Sequence, residues 1–238
     1  MRKGLLLAWL VLPLAWAAWH FGPGQNAIRA DVANRSLSRA EKLLKSGDLE
    51  GALERYKEAL ESLPEGTLGE RRKIQVASAK LQIQAGQLPE AHQQLQALVE
   101  ELTADPKSDA AVLADARDSL AQARYYMAWL IRLEGGTQDQ WEPEIDSARQ
   151  TYRLLAEQSR AAGDTAGEKQ HQEDLEASIR LARMDLDELQ GLNLPKQCSG
   201  CCSGKCNGKG KKPGQKPGKT PQDSRSAGSG PPPDNSGH

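Results

Sequence analysis

Gly47-Asp48-Leu49-Glu50-Gly51-Ala52-Leu53-Glu54-Arg55-Tyr56-Lys57-Glu58-Ala59-Leu60, followed by Gly86-Gln87-Leu88-Pro89-Glu90-Ala91-His92-Gln93-Gln94-Leu95-Gln96-Ala97-Leu98, decides the fold. In each stretch a glycine interrupts a run with helical apolar spacing, and an alanine follows five residues later. Core residues come next at steps of four and three: Tyr56 and Ala59 in one copy, Leu95 and Leu98 in the other. Glycine supplies the left-handed turn that ends a helix, and alanine lets a second helix cross close to the first. The pattern is a helical hairpin, written twice with 39 residues from Gly47 to Gly86.

Apolar spacing extends the pattern in both directions. Ile28, Val32, Leu37, Ala40 and Leu44 predict the first helix, which stops at Ser46-Gly47. Leu49, Ala52, Leu53, Tyr56, Ala59, Leu60 and Leu63 predict its partner, which ends at Pro64. Ile74, Ala77, Leu81 and Ile83 precede Gly86, and Leu88, Ala91, Leu95, Leu98 and Leu102 follow it. Pro89 falls in a first turn, where the missing amide donor costs little. Asp105-Pro106 is expected to cap a longer helix with Val112, Ala116, Leu120, Ala123, Met127 and Leu130, which ends at Gly135-Gly136. Its partner is expected to begin near Trp141 or Pro143 and to carry Ile145, Ala148, Tyr152 and Leu155. A last helix is expected after Gly167, with Leu175, Ile179, Ala182, Leu186 and Leu189 on one face. An end cap of this kind, polar on its outer side, is what an array of hairpins requires.

The glycine, alanine, aromatic and proline landmarks resemble a divergent tetratricopeptide repeat (TPR), across roughly residues 33 to 160. Departures are visible: the first two copies are longer than the family period, and Gly135 precedes Ala148 by thirteen residues. The resemblance implies an all-α fold of about three antiparallel hairpins plus a C-terminal capping helix, in a protein that binds other proteins and is not an enzyme. It also implies a concave groove lined by the first helix of each hairpin. That maps onto Asn34, Leu37, Glu41, Leu44 and Lys45, then Lys73, Val76, Lys80 and Ile83, then Tyr125, Trp129 and Arg132. Leu37 and Glu41 stand where a co-chaperone carboxylate clamp would need polar donors, so that clamp is not supported. The partner-binding candidates are Lys73, Lys80, Tyr125, Trp129 and Arg132, with Trp129 either the main anchor or packed against the stretched insertion at residues 136–142, and the lysines favouring an acidic, apolar partner segment.

Composition sets the frame for these helices. One Phe and four Tyr leave a core of Leu, Ala, Ile and Val, which suits helices better than sandwiches or barrels. The net charge of -1 conceals a division. Arg2 and Lys3 open the chain, and the last forty residues hold Lys205, Lys209, Lys211, Lys212, Lys216, Lys219 and Arg225, with Lys196 just before them, so the acidic excess lies in between. An acidic folded part argues against a nucleic-acid partner. Residues 193–238, rich in Gly, Lys, Pro and Ser, are expected to be disordered, and residues 25–192 to form the helical domain.

Residues 1–24 have the layout of a secretory signal or a signal anchor, with Arg2-Lys3 ahead of the uncharged Gly4 to Phe21. Ala15-Trp16-Ala17 permits cleavage after Ala17. Trp16, Trp19, His20 and Phe21 instead favour an uncleaved membrane helix, because amphipathic rings settle at the interface. No cysteine lies here, which excludes a lipoprotein-type acyl anchor. Either reading puts the helical domain on the non-cytoplasmic side, membrane-tethered or periplasmic and secreted. Anchor, repeats and Lys-rich tail together resemble in layout the TPR components of bacterial aerotolerance-type operons.

Chemistry leaves few marks. His92 and His171 stand among Gln and Glu as surface residues would, and neither HExxH nor a nucleophile elbow occurs. Gly200 to Lys205 lacks the spacing and the Ser or Thr of a phosphate loop. Cys198, Cys201, Cys202 and Cys206 are the only cysteines. Their clustering leaves three readings open: a zinc or copper site, thiols that oxidise to disulfides outside the cytoplasm, or incidental composition. A metal- or redox-handling protein that presents this tail is thus the alternative to an interaction adaptor.

Overall fold

The computed structural model describes Val11 and residues 23–191. Among the described residues the fold is all helical: α1 (Pro23–Ser46), α2 (Leu49–Ser62), α3 (Leu68–Gln84), α4 (Leu88–Ala104), α5 (Ala110–Leu133), α6 (Gln138–Ala161), α7 (Thr165–Arg183) and the short α8 (Leu186–Gly191). The expected anchor and the Cys- and Lys-rich tail lie outside the described residues, apart from Val11 and the start of α1. No helix among the described residues is long and apolar enough to cross a membrane.

The turn that defines the repeat is built as the glycines predict. Gly47 sits at φ +83°, and the Asp48 amide donates back to the Leu43 carbonyl at 3.0 Å, which closes the end of α1. The same six-residue closure recurs after α3, Gln87 N to Gln82 O at 2.9 Å, and after α5, Gly136 N to Ile131 O at 2.8 Å. A fourth copy follows α6, where the Asp164 amide donates to Ser159 O at 2.9 Å and Gly163 has φ +73°. The array therefore has one more hairpin turn than apolar spacing predicts, and α7 begins at Thr165 instead of after Gly167. Gly167 serves the start of α7 and does not precede it. Its amide donates to the N-cap carboxylate of Asp164 at 2.9 Å, and a β-carbon there would lie 2.2 Å from that carboxylate. Asp48 and Gly51 repeat this arrangement at the start of α2.

Packing follows the alanines. Ala33 and Ala40 of α1 meet Ala59 and Ala52 of α2, and Ile74 and Leu81 of α3 close the two clusters. Beyond these, Ala79, Ile83, Leu88, Ala91 and Leu95 of the second hairpin join Leu120, Ala123 and Tyr126 of α5. Two of the residues assigned to a groove, Val76 and Ile83, are thus core residues that join α3 to α5.

Several boundaries depart from expectation for local reasons. Ile28 and Val32 are exposed by 51% and 40%, because α1 runs 24 residues against 14 for α2 and its first turns extend beyond the end of α2 among the described residues. Asp105-Pro106 does not cap α5. Asp109 does, accepting from the Ala111 amide at 2.9 Å, while Asp105 ends α4. α6 starts at Gln138, earlier than Trp141, because the Thr137–Gln140 capping box satisfies its first amides and Pro143 is carried inside the helix. The last helix breaks at Met184-Asp185. On α7 the buried row is Asp174, Ser178 and Leu181, with Leu175 and Ile179 only half-buried.

Candidate functional site

α3, α5 and α7 are joined by charged side chains as well as by core. Lys73 Nζ lies 3.8 Å from Asp109 Oδ2, and Lys80 pairs with Asp115, both across the α3–α5 contact. These lysines are therefore matched by carboxylates of the same chain. The expected appeal of these lysines to an acidic, apolar partner segment is reduced by Asp109 and Asp115. Arg72, buried on α3, donates to Glu101 at 2.9 Å and to Asp105 at 2.8 Å. The guanidinium bond holds the Asp105 carboxyl below its ordinary range.

The aromatic stripe is brought together, but inside the molecule. Trp129 is 5% exposed and packs with Ala128, Ile145, Leu181 and Leu189, from α5 to α8. Tyr125 is half-buried with its ring 6.0 Å from that of Trp129. Arg132 donates to the carbonyls of Leu181, in the last turn of α7, and of Met184, just past its end, and lies 4.6 Å over the Trp141 ring. Trp129 and Arg132 thus fasten α5 to α7 and α8. They are not the exposed anchors expected of a binding stripe, because the turn at Gly163 folds α7 back over that face of α5.

The two histidines of the domain also differ from expectation. His92 on α4 lies 3.3 Å from Glu144 on α6, and this contact holds the Glu144 carboxyl below its ordinary range. His171 on α7 faces Asp118 on α5 with Nδ1 3.7 Å from Oδ1. Burial raises the Asp118 carboxyl above the ordinary range, against the pull of His171 and Lys80. Neither imidazole is on the open surface.

A cleft of about 270 Å³ opens between the first two hairpins. Its floor is Leu60 of α2, Ala79 of α3 and Leu95 and Leu98 of α4, and its rim carries Gln75, Gln94 and Glu101. The Gln75 carbonyl oxygen is buried there with no hydrogen-bond partner among the described residues. An apolar floor with an acceptor lacking a donor suits one or two side chains of another polypeptide, and is smaller than a drug-sized ligand pocket. Apolar periodicity could not reveal this cleft, because it arises between hairpins. The four cysteines, Cys198, Cys201, Cys202 and Cys206, lie outside the described residues.

Comparison with known proteins returns one kind of match. No curated protein and no solved structure matches the chain. The tetratricopeptide repeat family model matches residues 43–115, from the end of α1 into α5. Repeats of this family typically bind proteins and are typically not enzymes. Together with the glycine turns and alanine crossings described above, this match over residues 43–115 supports a tetratricopeptide-repeat family.

Proposed function

We propose that the protein is a non-catalytic adaptor that holds a partner protein, tethered to a membrane or exported by residues 1–24, with its repeats on the non-cytoplasmic side. The family match over residues 43–115 carries the binding role, and the cleft between α2, α3 and α4 lies within that segment. Arg2-Lys3 ahead of an uncharged run supports the tether, and so does the exposed apolar pair Ile28 and Val32 at the start of α1.

The cleft takes an apolar side chain of the partner, with a donor beside it that reaches Gln75 Oε1. Ala97, exposed on α4 at the cleft edge, offers the test. Ala97→Trp fills the opening and leaves the core intact, so the melting temperature stays close to the parent's, as for other surface substitutions. A partner recovered from membranes by the parent protein should be lost from the variant. Equal recovery would place the binding face elsewhere. Fractionation of cells expressing the chain with and without residues 1–22 tests the tether separately.

A further inference from the structure

We propose that Asp118, His171 and Asp174 form a binding site for a zinc-class divalent cation, which clips α7 to α5. His171 and Asp174 are three residues apart on α7, a spacing that puts both on one face of a helix. Asp118 reaches them from α5. The donor atoms of the three side chains lie within 4.8 Å of one another. Asp174 is 3% exposed, and the other two are half-buried. Metal sites in helical bundles are built this way, from paired ligands on one helix and a carboxylate on the helix facing it.

The Asp118–His171 contact is longer than a hydrogen bond. His171 Nδ1 is buried, stands 3.7 Å from Asp118 Oδ1 and makes no hydrogen bond. Two carboxylates and an imidazole therefore converge without being bonded through that nitrogen. Lys80 and Asp115 are the other charged groups facing Asp118, and they are paired with each other. Buried charge in proteins is paired or coordinates a metal. One nitrogen and two carboxylate oxygens suit zinc. Calcium takes six to eight oxygens, and cuprous copper prefers sulfur. A cation here joins the fourth hairpin turn to the preceding repeat through ligands some fifty residues apart in sequence.

The test uses the full chain with Cys198, Cys201, Cys202 and Cys206 replaced by Ser, stripped with EDTA, so that no thiolate competes. Zinc chloride at a hundredfold excess over its dissociation constant should raise the melting temperature by about 5 °C or more. Cobalt(II) should give a visible ligand-field band without thiolate charge transfer. Asp118→Asn and His171→Gln should each weaken zinc binding at least about tenfold, the loss that even an outer-shell change produces. A cysteine-free chain that shows neither the zinc shift nor the cobalt band overturns the site, whatever the variants do. Unchanged zinc affinity in both variants overturns it as well.

Discussion

Between α1 and α4 the helices cross on alanine. Ala33, Ala40, Ala52 and Ala59 are all buried at the first hairpin, and larger side chains only flank them. Between α5 and α8 buried alanines recur, Ala121 against Ala148 among them, but large buried side chains, Trp129, Tyr152 and Ile145, share the contacts with them. α1 and α2 are tied by a two-residue connection, whereas α6 begins only after a four-residue link and a capping box, with Pro143 inside it. The family match stops at residue 115, ahead of the buried aromatics Tyr126, Trp129 and Tyr152. Opposite substitutions should therefore do damage in the two regions: truncation in the second, enlargement in the first.

The largest effect is expected for Trp129→Ala. Removing a buried indole from the α5–α8 cluster should cost about 3 to 5 kcal/mol in chemical denaturation. A loss below about 1 kcal/mol, with partner capture abolished, would restore Trp129 as a binding anchor and break the comparison. Ala52→Leu comes next. It forces extra carbons into the closest crossing of α1 and α2, where Ala40 and Leu81 already fill the space, and should cost about 1 to 3 kcal/mol. If the variant melts with the parent, the hairpin is looser than its alanines indicate.

How much of this is readable from the sequence divides along the same line. In the matched segment, Gly47 and Ala52 fix a turn and a crossing five residues apart, so local spacing contains the whole hairpin. α5 defeats that logic because it is buried on several sides at once, against α3 and α4 on one side and α6 and α7 on the other. A periodic stripe cannot say which side of such a helix meets solvent. Tyr125, Trp129 and Arg132 share a side, but what covers it is decided by Leu181 and Met184, about fifty residues away. Gly163 is visible in the sequence, but Gly167 competes with it because it lies nearer the next apolar run. The pairing of Gly163-Asp164 with Gly47-Asp48 is the signal that places α7. The cleft at Gln75 and the convergence of Asp118, His171 and Asp174 depend on contacts between hairpins, which spacing within a hairpin does not encode.

A smaller effect separates two glycines. Gly163→Ala places a β-carbon on a left-handed backbone and should cost about 1 to 2 kcal/mol, although the space around it is open. Gly69→Ala, in ordinary helical backbone with open space, should instead gain up to about 1 kcal/mol through the unfolded chain. Equal melting temperatures for the two would mean that the fourth turn does not need its glycine and that α7 is not held as a repeat helix.

The smallest expected effect is a pH dependence with a partner in each region. Asp105 bonds to Arg72 in the matched segment, and Glu144 meets His92 and Arg124 beyond it. Both carboxyls are held below their ordinary values of 3.8 and 4.5. A lowered folded value means that the folded state resists protonation more than the unfolded chain. Each contribution is therefore present in full above the ordinary value and is lost as the pH falls through the lowered one. Stability should accordingly decline from about pH 5 downward. Asp105→Asn should flatten part of that decline, because the neutral amide no longer exchanges a proton, and Arg72 keeps its bond to Glu101 at 2.9 Å. Glu144→Gln should flatten another part, with the two effects adding, since the pairs share no partner. Melting temperatures measured in steps from pH 7 to 3 would read this directly. An unchanged acid limb in Asp105→Asn would show that the Arg72 bond is exchanged with water in solution and does not tie α3 to the end of α4.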